Sequence, residues 1–281
     1  MSSGYAAWPR ISVVTPSFNQ GRFLRETMES IHSQGYPNLE HIVIDGGSTD
    51  ESTAILAEYD SRLAFWVSEK DQGQTDAIAR GFDRATGDVF CWLNSDDVFV
   101  PGALKAVGEI FRGRADIDFL YGDAVWIDEA GGFIKHKKEQ AFNRFVICFD
   151  HNFMPQPSTF WKAKLYRTAG GVDRSFNLAM DADLWLRMAE ISKPKHLPQA
   201  LSMMRFYGEQ KNTRLREQSL IEMQRLRDRY YPRARGVKAR RLGARIARVL
   251  GKTASRGYSM REVADSGIFG GKDWEERQLD R

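Results

Sequence analysis

The chain has 281 residues, 42% of them hydrophobic, 28% charged and 12% aromatic, with a formal net charge of +4. That is enough apolar material for a sizeable core, in one large domain or one domain with an appendage, and it excludes disorder over most of the length. The charge is uneven: nine basic residues and no acid fall between positions 233 and 256, leaving 32 basic against 37 acidic residues elsewhere, which argues against a nucleic-acid-binding main body.

In chain order, the apolar run Ile11–Val14 reads as a strand ending in the polar turn Thr15-Pro16-Ser17-Phe18-Asn19. A helix follows, with Leu24, Met28 and Ile31 on one face. The unit repeats. Ile42–Ile44 leads into Asp45-Gly46-Gly47-Ser48-Thr49-Asp50 and a helix carrying Ile55, Leu56 and Tyr59, with Ser48 or Thr49 as its cap and Asp50 in its electropositive first turn. It repeats again as Phe65–Val67, the loop Glu69–Gln74, and a helix with Ile78, Phe82 and Ala85 on one side. A fourth strand, Val89–Leu93, stops at Asn94-Ser95-Asp96-Asp97. Continuous apolar strands alternating with helices predict an α/β fold, a Rossmann-like, mostly parallel sheet flanked by helices. The polar loops follow the strands' carboxyl ends, where open α/β sheets bind ligands. No apolar run reaches the ~20 residues of a spanning helix, and positions 1–10 lack the layout of a secretory signal. Cys91 and Cys148, both in apolar runs, read as buried free thiols of a reducing cytosol. Trp92, Trp126 and Trp185 read as core.

Several chemistries are absent. The chain has no G-x-x-x-x-G-K-[ST] loop, no G-x-G-x-x-G and no G-x-S-x-G elbow, and its five histidines are scattered. What remains is a set of carboxylates and amides at strand ends: Asn19, Asp45, Asp71, Asn94, Asp96 and Asp97. Such hard oxygen ligands suit Mg²⁺ or Mn²⁺, which complete their shells with phosphates and water.

Thr15–Asn19, Asp45–Asp50, Leu93–Asp97 and Asp181-Ala182-Asp183-Leu184-Trp185-Leu186-Arg187, in that order, resemble the family 2 glycosyltransferases of the GT-A fold. The likeness spans roughly residues 10 to 206 and divides the chain into a GT-A nucleotide-sugar-binding and catalytic domain, 1–206, and a helical, basic C-terminal extension, 207–281. It implies a nucleotide-sugar donor, most often a UDP-sugar. Pro16, Ser17, Asn19, Asp45, Asp71 and Asp96 would then bind the nucleotide, with Asp45 on the uracil ring. Asp97 and Asp96 would hold Mn²⁺ or Mg²⁺, Asp97 being the direct ligand. Asp181 would be the catalytic base of a single inverting displacement onto an acceptor hydroxyl in bacterial polysaccharide or glycolipid synthesis. Asp183 reads as a partner for Arg187 four residues on, and Asp50 as a helix-end carboxylate. Asp123, His151 and Gln156 are candidate acceptor or sugar contacts, a structural loop being the equal alternative for the last two.

Three departures from the family pattern stand out: Asn94 opens the acidic motif, Ala79-Arg80-Gly81 lacks an Asn, and Arg205-Phe206-Tyr207 lacks a His. Tyr207, Gln210 or Lys211 would replace that His on the phosphate. Two alternatives are a non-catalytic nucleotide-sugar-binding protein and a nucleotidyltransferase on a related sheet, though the latter wants a Gly-rich basic loop that Thr15–Gly21 does not supply.

The extension predicts a helix with Lys238, Arg241, Arg245, Arg248 and Lys252 on one face and Leu242, Ile246, Val249 and Leu250 beside it. Such a helix lies on an anionic membrane surface or packs on the acidic body, and Gly236, Gly243 and Gly251 weaken it. The expected partners are therefore the sugar donor, a saccharide or lipid-linked acceptor and an anionic membrane through residues 233–256, without nucleic acid. The expected location is cytoplasmic, peripheral on the inner face of the cell membrane.

Overall fold

Strands β1 (Ile11–Ser17), β2 (Leu39–Asp45), β3 (Phe65–Ser68) and β4 (Val89–Trp92) are the apolar runs of the repeated unit, and they pair in parallel, β2 and β4 flanking β1 and β3 outside β2. Their connections are right-sized for crossovers: α1 (Gly21–His32), α2 (Ser52–Glu58) and α3 (Gln74–Arg84), each burying the predicted apolar face. The computed structural model describes residues 7–232 and 236–255.

Beyond β4 the sheet turns mixed. Among the described residues it continues through β5 (Val98–Phe99), β6 (Phe119–Ile127), β7 (Phe133–Lys137), β8 (Thr159–Lys162) and β9 (Lys195–Arg205), in the spatial order β3-β2-β1-β4-β8-β6-β9-β5, with β7 on β6. β8 is antiparallel to both β4 and β6, whereas β6 and β9 are parallel. The expected α/β sheet is present, parallel in its first half and mixed in its second. Trp126 departs from expectation. Its part of β6 pairs with the exposed hairpin strand β7, so the ring is only half-buried, between Phe206 and the Lys135 ammonium 3.9 Å above it.

The remaining helices are α4 (Ala103–Gly113), α5 (Arg144–Phe149), α6 (Ala163–Thr168), α7 (Met180–Ile191), α8 (Lys211–Arg214), α9 (Arg216–Tyr230) and α10 (Val237–Ala254). Three fully buried tryptophans fasten α7 to the sheet: Trp185 stacks on Trp92 of β4 with centroids 5.3 Å apart and lies 5.1 Å from Trp161 of β8. Packing of this kind holds a helix in one register. It brings the amino end of α7 toward the carboxyl end of β4. Leu226 of α9 and Ala244 of α10 enter the same hydrophobic cluster as these rings, so the described part of the extension shares the main core. Cys91 and Cys148 are buried free thiols.

Candidate active site

The loops after β1 and β2 are laced together. Asn19 adopts the left-handed conformation (φ 50°), its Oδ1 accepts from Thr49 N at 2.9 Å, and its own N–H donates to Ser48 Oγ at 2.7 Å. Asp45 is fully buried, and its carboxylate accepts from Gly47 N, Ser48 N, Ser48 Oγ and Ser68 Oγ at 2.5–3.1 Å. Three of those bonds converge on Oδ2 and one on Oδ1, so the loops fix the carboxylate while Oδ1 keeps acceptor capacity. Pro16 and Ser17 are buried within β1, beneath the loop, where Ser17 O accepts from Gly46 N. Asp50 accepts from Ser52 N at 3.0 Å and Gly21 N at 2.9 Å. It is thus the helix-end carboxylate expected of it, meeting the first N–H of α2, whose cap position is Glu51 rather than Ser48 or Thr49.

The carboxylate facing this rim is Asp71. Its Oδ1 accepts from Gly73 N at 2.7 Å, and its Oδ2 lies so near Gly46 that a Cβ there would be 2.9 Å away. Only glycine lets the acid approach this closely. Phe18, 59% exposed at the same rim, went unassigned from sequence; a large apolar ring left in solvent among polar strand-end residues is the signal that marks it.

At the end of β4 the two acids divide their work. Asp97 is turned inward, 5% exposed, its Oδ1 accepting from Arg205 N at 3.0 Å. Asp96 is more open, and its Oδ2 accepts from Tyr207 Oη at 2.9 Å. Tyr207 in turn receives Gln20 Nε2 at 3.2 Å. Burial pushes both carboxyls above their ordinary range, and for Asp97 the charge of Asp96 adds to it. Two adjacent carboxylates under this penalty suit a cation, which would relieve it. Among the described residues no group of three His, Cys, Asp or Glu is gathered for a metal. An ion here would therefore draw the rest of its shell from water and substrate oxygens.

Asn94 sits at the centre of an amide network: Gln74 Nε2 donates to its Oδ1 at 2.9 Å, its Nδ2 donates to Gln156 Oε1 at 3.1 Å, and Gln156 Nε2 donates to Trp92 O at 2.7 Å. Gln156 thus joins the acidic motif with both ends of its amide engaged. Of the replacements for the missing His, Tyr207 holds Asp96, Gln210 holds Arg205 O, and Lys211 donates to Gln74 Oε1 at 3.1 Å and Asn177 O at 2.7 Å. Burial brings the Lys211 ammonium down to about 8.

Asp181 opens α7. Its Oδ1 accepts from Ala182 N at 2.7 Å and its Oδ2 from Asn152 Nδ2 at 2.8 Å. Burial raises its pKa to about 6 against these two donors, with Glu222 adding to the rise. Asp183 is fully buried and is spent on Arg187 Nη2 at 2.6 Å, the predicted spacing-four partner, and on Arg229 of α9. Glu222 of α9 was not foreseen: its Oε2 accepts from Asn177, Leu178 and Ala179 N at 2.8–3.0 Å, fixing the turn into α7. Asp123 is engaged by Glu139 N at 2.8 Å and His196 Nε2 at 2.7 Å, and His151 pairs with Asp150 at 3.2 Å. Asp123 thus spends Oδ1 and His151 its Nδ1 on protein partners.

A Rossmann-like half-sheet with an acidic pair closing β4, followed by a mixed half that brings a carboxylate-headed helix to the same strand ends, is the architecture of GT-A glycosyltransferases. The glycosyl transferase family 2 model matches residues 12–168, and the chain belongs to that family. It is 32% identical over 188 residues to an uncharacterized glycosyltransferase of Mycobacterium tuberculosis, covering 66% of this chain and 71% of that one. It is 26% identical over 187 residues to one of Methanocaldococcus jannaschii, covering 64% of each. S. aureus TarS 1-349 in complex with UDP-GlcNAc shares the fold with a TM-score of 0.60 at 13% identity, over 92% of this chain and 88% of that one. The mannosyltransferase PcManGT from Pyrobaculum calidifontis, in complex with GDP-Man and Mn2+, does so at 0.61 and 15% identity, over 98% and 79%.

Proposed function

We propose that this glycosyltransferase moves a sugar from a nucleotide-sugar, a UDP-sugar first, to an acceptor hydroxyl with inversion, aided by Mn²⁺ or Mg²⁺. The observation that carries the reading is Asp181: a half-buried carboxylate raised to about 6, oriented by an amide and a backbone donor, at the amino end of a helix stacked on the strand that ends in Asp96 and Asp97. Phe18 and Asp71 receive the base and ribose, Asn19 shapes the loop around them, and Asp96 serves the ribose and the diphosphate. Asp96 and Asp97 would hold the ion, Asp97 through the Oδ2 left by its bond to Arg205 N and Asp96 from its more open position. The divalent ion would supply charge compensation for the departing nucleoside diphosphate. Asp181 accepts the proton of the attacking hydroxyl, and its pKa suits that role near neutral pH. Lys211, held by Gln74 and Asn177, adds a positive charge beside the phosphates. The TarS and PcManGT complexes, with UDP-GlcNAc and with GDP-Man and Mn2+, support the donor class and the ion.

Release of nucleoside diphosphate from a panel of UDP- and GDP-sugars, with Mn²⁺ or with chelator, tests this. We expect turnover of at least one donor and its loss in chelator. Binding without release in every acceptor mixture would make the chain a non-catalytic binder, and full activity in chelator would remove the metal.

The acceptor is a saccharide or lipid-linked sugar of bacterial surface synthesis, handled at the cytoplasmic membrane face. Among the described residues no helix is long and apolar enough to cross a membrane. α10 does present outward the stripe Leu242, Ile246 and Leu250, 48%, 40% and 65% exposed, with Lys238 and Arg241 also exposed. Arg248 and Lys252, expected on this lipid-facing side, are instead buried, because buried acids draw them inward. Arg233, Arg235 and Arg256 lie outside the described residues. Full-length chain should sediment with phosphatidylserine vesicles at low salt, and changing the three stripe residues to Ser should abolish this. Equal sedimentation of both proteins would sink the membrane reading.

A further inference from the structure

The two inward cations of α10 grip one stretch of chain near both of its ends. Lys252 Nζ lies 2.9 Å from Glu139 Oε2, and Ser255 Oγ donates to Glu139 O at 3.1 Å. Arg248 Nε donates to Asp150 Oδ2 at 2.5 Å. None of the four charged side chains is more than 8% exposed. Lys137 closes the stretch on itself, its Nζ 2.6 Å from Glu139 Oε1 and 2.8 Å from Phe153 O. The seat is close: a Cβ on Gly251 would lie 2.0 Å from Gln140 Oε1, so the Gln140 amide would have to move aside for any side chain there. Two residues past Asp150, Asn152 donates to Asp181 Oδ2 at 2.8 Å.

We propose that α10 is a strap for the active site, in which Arg248 and Lys252 are positioning residues that hold segment 139–152 so that Asn152 fixes the orientation of Asp181. The proposal rests on the reading of Asp181 as the base. Neither cation reaches Asp181 itself; they act through the backbone between Asp150 and Asn152. Burial alone would raise the Asp150 carboxyl, yet His151 and Arg248 bring it down to about 2, so this acid stays ionised and the grip holds across the working range. If Arg248 is lost, Asp150 is left as a buried charge short of a partner, and segment 150–152 must shift to hydrate it. A displacement of ~1 Å at a reacting group costs about a hundredfold in rate, whereas the nucleotide end of the site, built on β1, β2 and β4, stays in place.

The test uses the full chain carrying Arg248→Ala, with Arg248→Lys as the conservative rescue. For Arg248→Ala we expect kcat for nucleoside diphosphate release to fall by ~10- to 100-fold, with the Kd for UDP or GDP changed less than about twofold, and Arg248→Lys to recover most of the loss. Should Arg248→Ala fail to fold, Asp150→Asn/Arg248→Met removes both charges together and keeps the buried volume. This double variant should remain folded and slow. Wild-type kcat in either folded variant overturns the strap, as does loss of nucleotide binding in parallel with kcat. If the wild type releases no nucleotide from any donor, the transferase reading has failed on its own. Amide hydrogen exchange then decides the strap separately: residues 150–153 should exchange faster in the double variant and residues 89–97 should not. Unchanged exchange at 150–153 overturns it.

Discussion

Around the ends of β1 and β2, most ties are short hydrogen bonds within or between neighbouring loops: Asp45 to Gly47, Ser48 and Ser68, Asn19 to Ser48 and Thr49, Asp50 to Gly21 and Ser52. Around α7 the ties are buried ion pairs and charged caps reaching across the chain: Asp183 to Arg229, Glu222 to the turn 177–179, Glu139 to Lys252 and Asp150 to Arg248. The difference follows from what each side must hold. The first side shapes its loops at consecutive strand ends of a parallel sheet, where backbone N–H groups lie within reach of nearby side chains. The second must bring a helix and a loop, 29 residues apart at Asn152 and Asp181, to one point. Buried charge pairs do this because a misplaced partner is costly, which sharpens geometry even where net stability gains little.

Breaking the second side at its functional centre has the largest expected effect. Asp181→Asn keeps size but cannot take a proton, so transfer should fall by ~10²–10⁴ with donor affinity unchanged. Calorimetric titration of nucleotide alongside a turnover assay checks it, and near-wild-type turnover would reassign the base. Next comes Asp183→Ala, which removes the acid shared by Arg187 and Arg229 and leaves them Ala169 O and Asp173. A broken buried pair costs ~3–5 kcal/mol, and the effect here belongs at about 3 because those arginines are 20% and 38% exposed. Chemical denaturation should show this drop, whereas Glu58→Gln, which removes the exposed pair with Arg25, should leave the midpoint in place.

On the first side the losses are smaller. Asp45→Asn keeps one acceptor oxygen and leaves some of four donors unpaired, at about 1–3 kcal/mol each if they stay buried. Nucleotide Kd should weaken while the bound-state rate holds; a kcat effect without a Kd effect would reverse the assignment of the two sides. The mildest break is pH. With Asp181 raised to about 6, its ionised, proton-accepting form is lost as pH falls through 6, so kcat/KM should drop about tenfold per unit below that value. Asn152→Ala removes a donor that favours the ionised form and should move this limb upward. A profile that stays flat through pH 6 in both proteins would exclude Asp181 from the proton transfer.

Much of the first side was legible in the chain. The three apolar runs, their helices and the polar residues at each strand end follow from periodicity, because a parallel sheet covered on both faces needs continuous apolar strands and leaves its loops at one edge. Asp183 with Arg187 was legible too, being a local helical spacing. What periodicity could not supply was which carboxylates keep a free face. Asp45 and Asp97 are buried and held by serines, backbone N–H groups and Arg205 N, while Asp71 and Asp96 remain more open. The same holds for α10, of whose expected basic face Lys238 and Arg241 stay outside. An amphipathic pattern says which residues share a side of the helix, and only the tertiary structure, by placing Glu139 and Asp150 in a buried pocket, decides that Arg248 and Lys252 turn inward. Local spacing determines elements and short pairs; desolvation and partner geometry, which depend on residues a hundred positions away, determine the state of each charge.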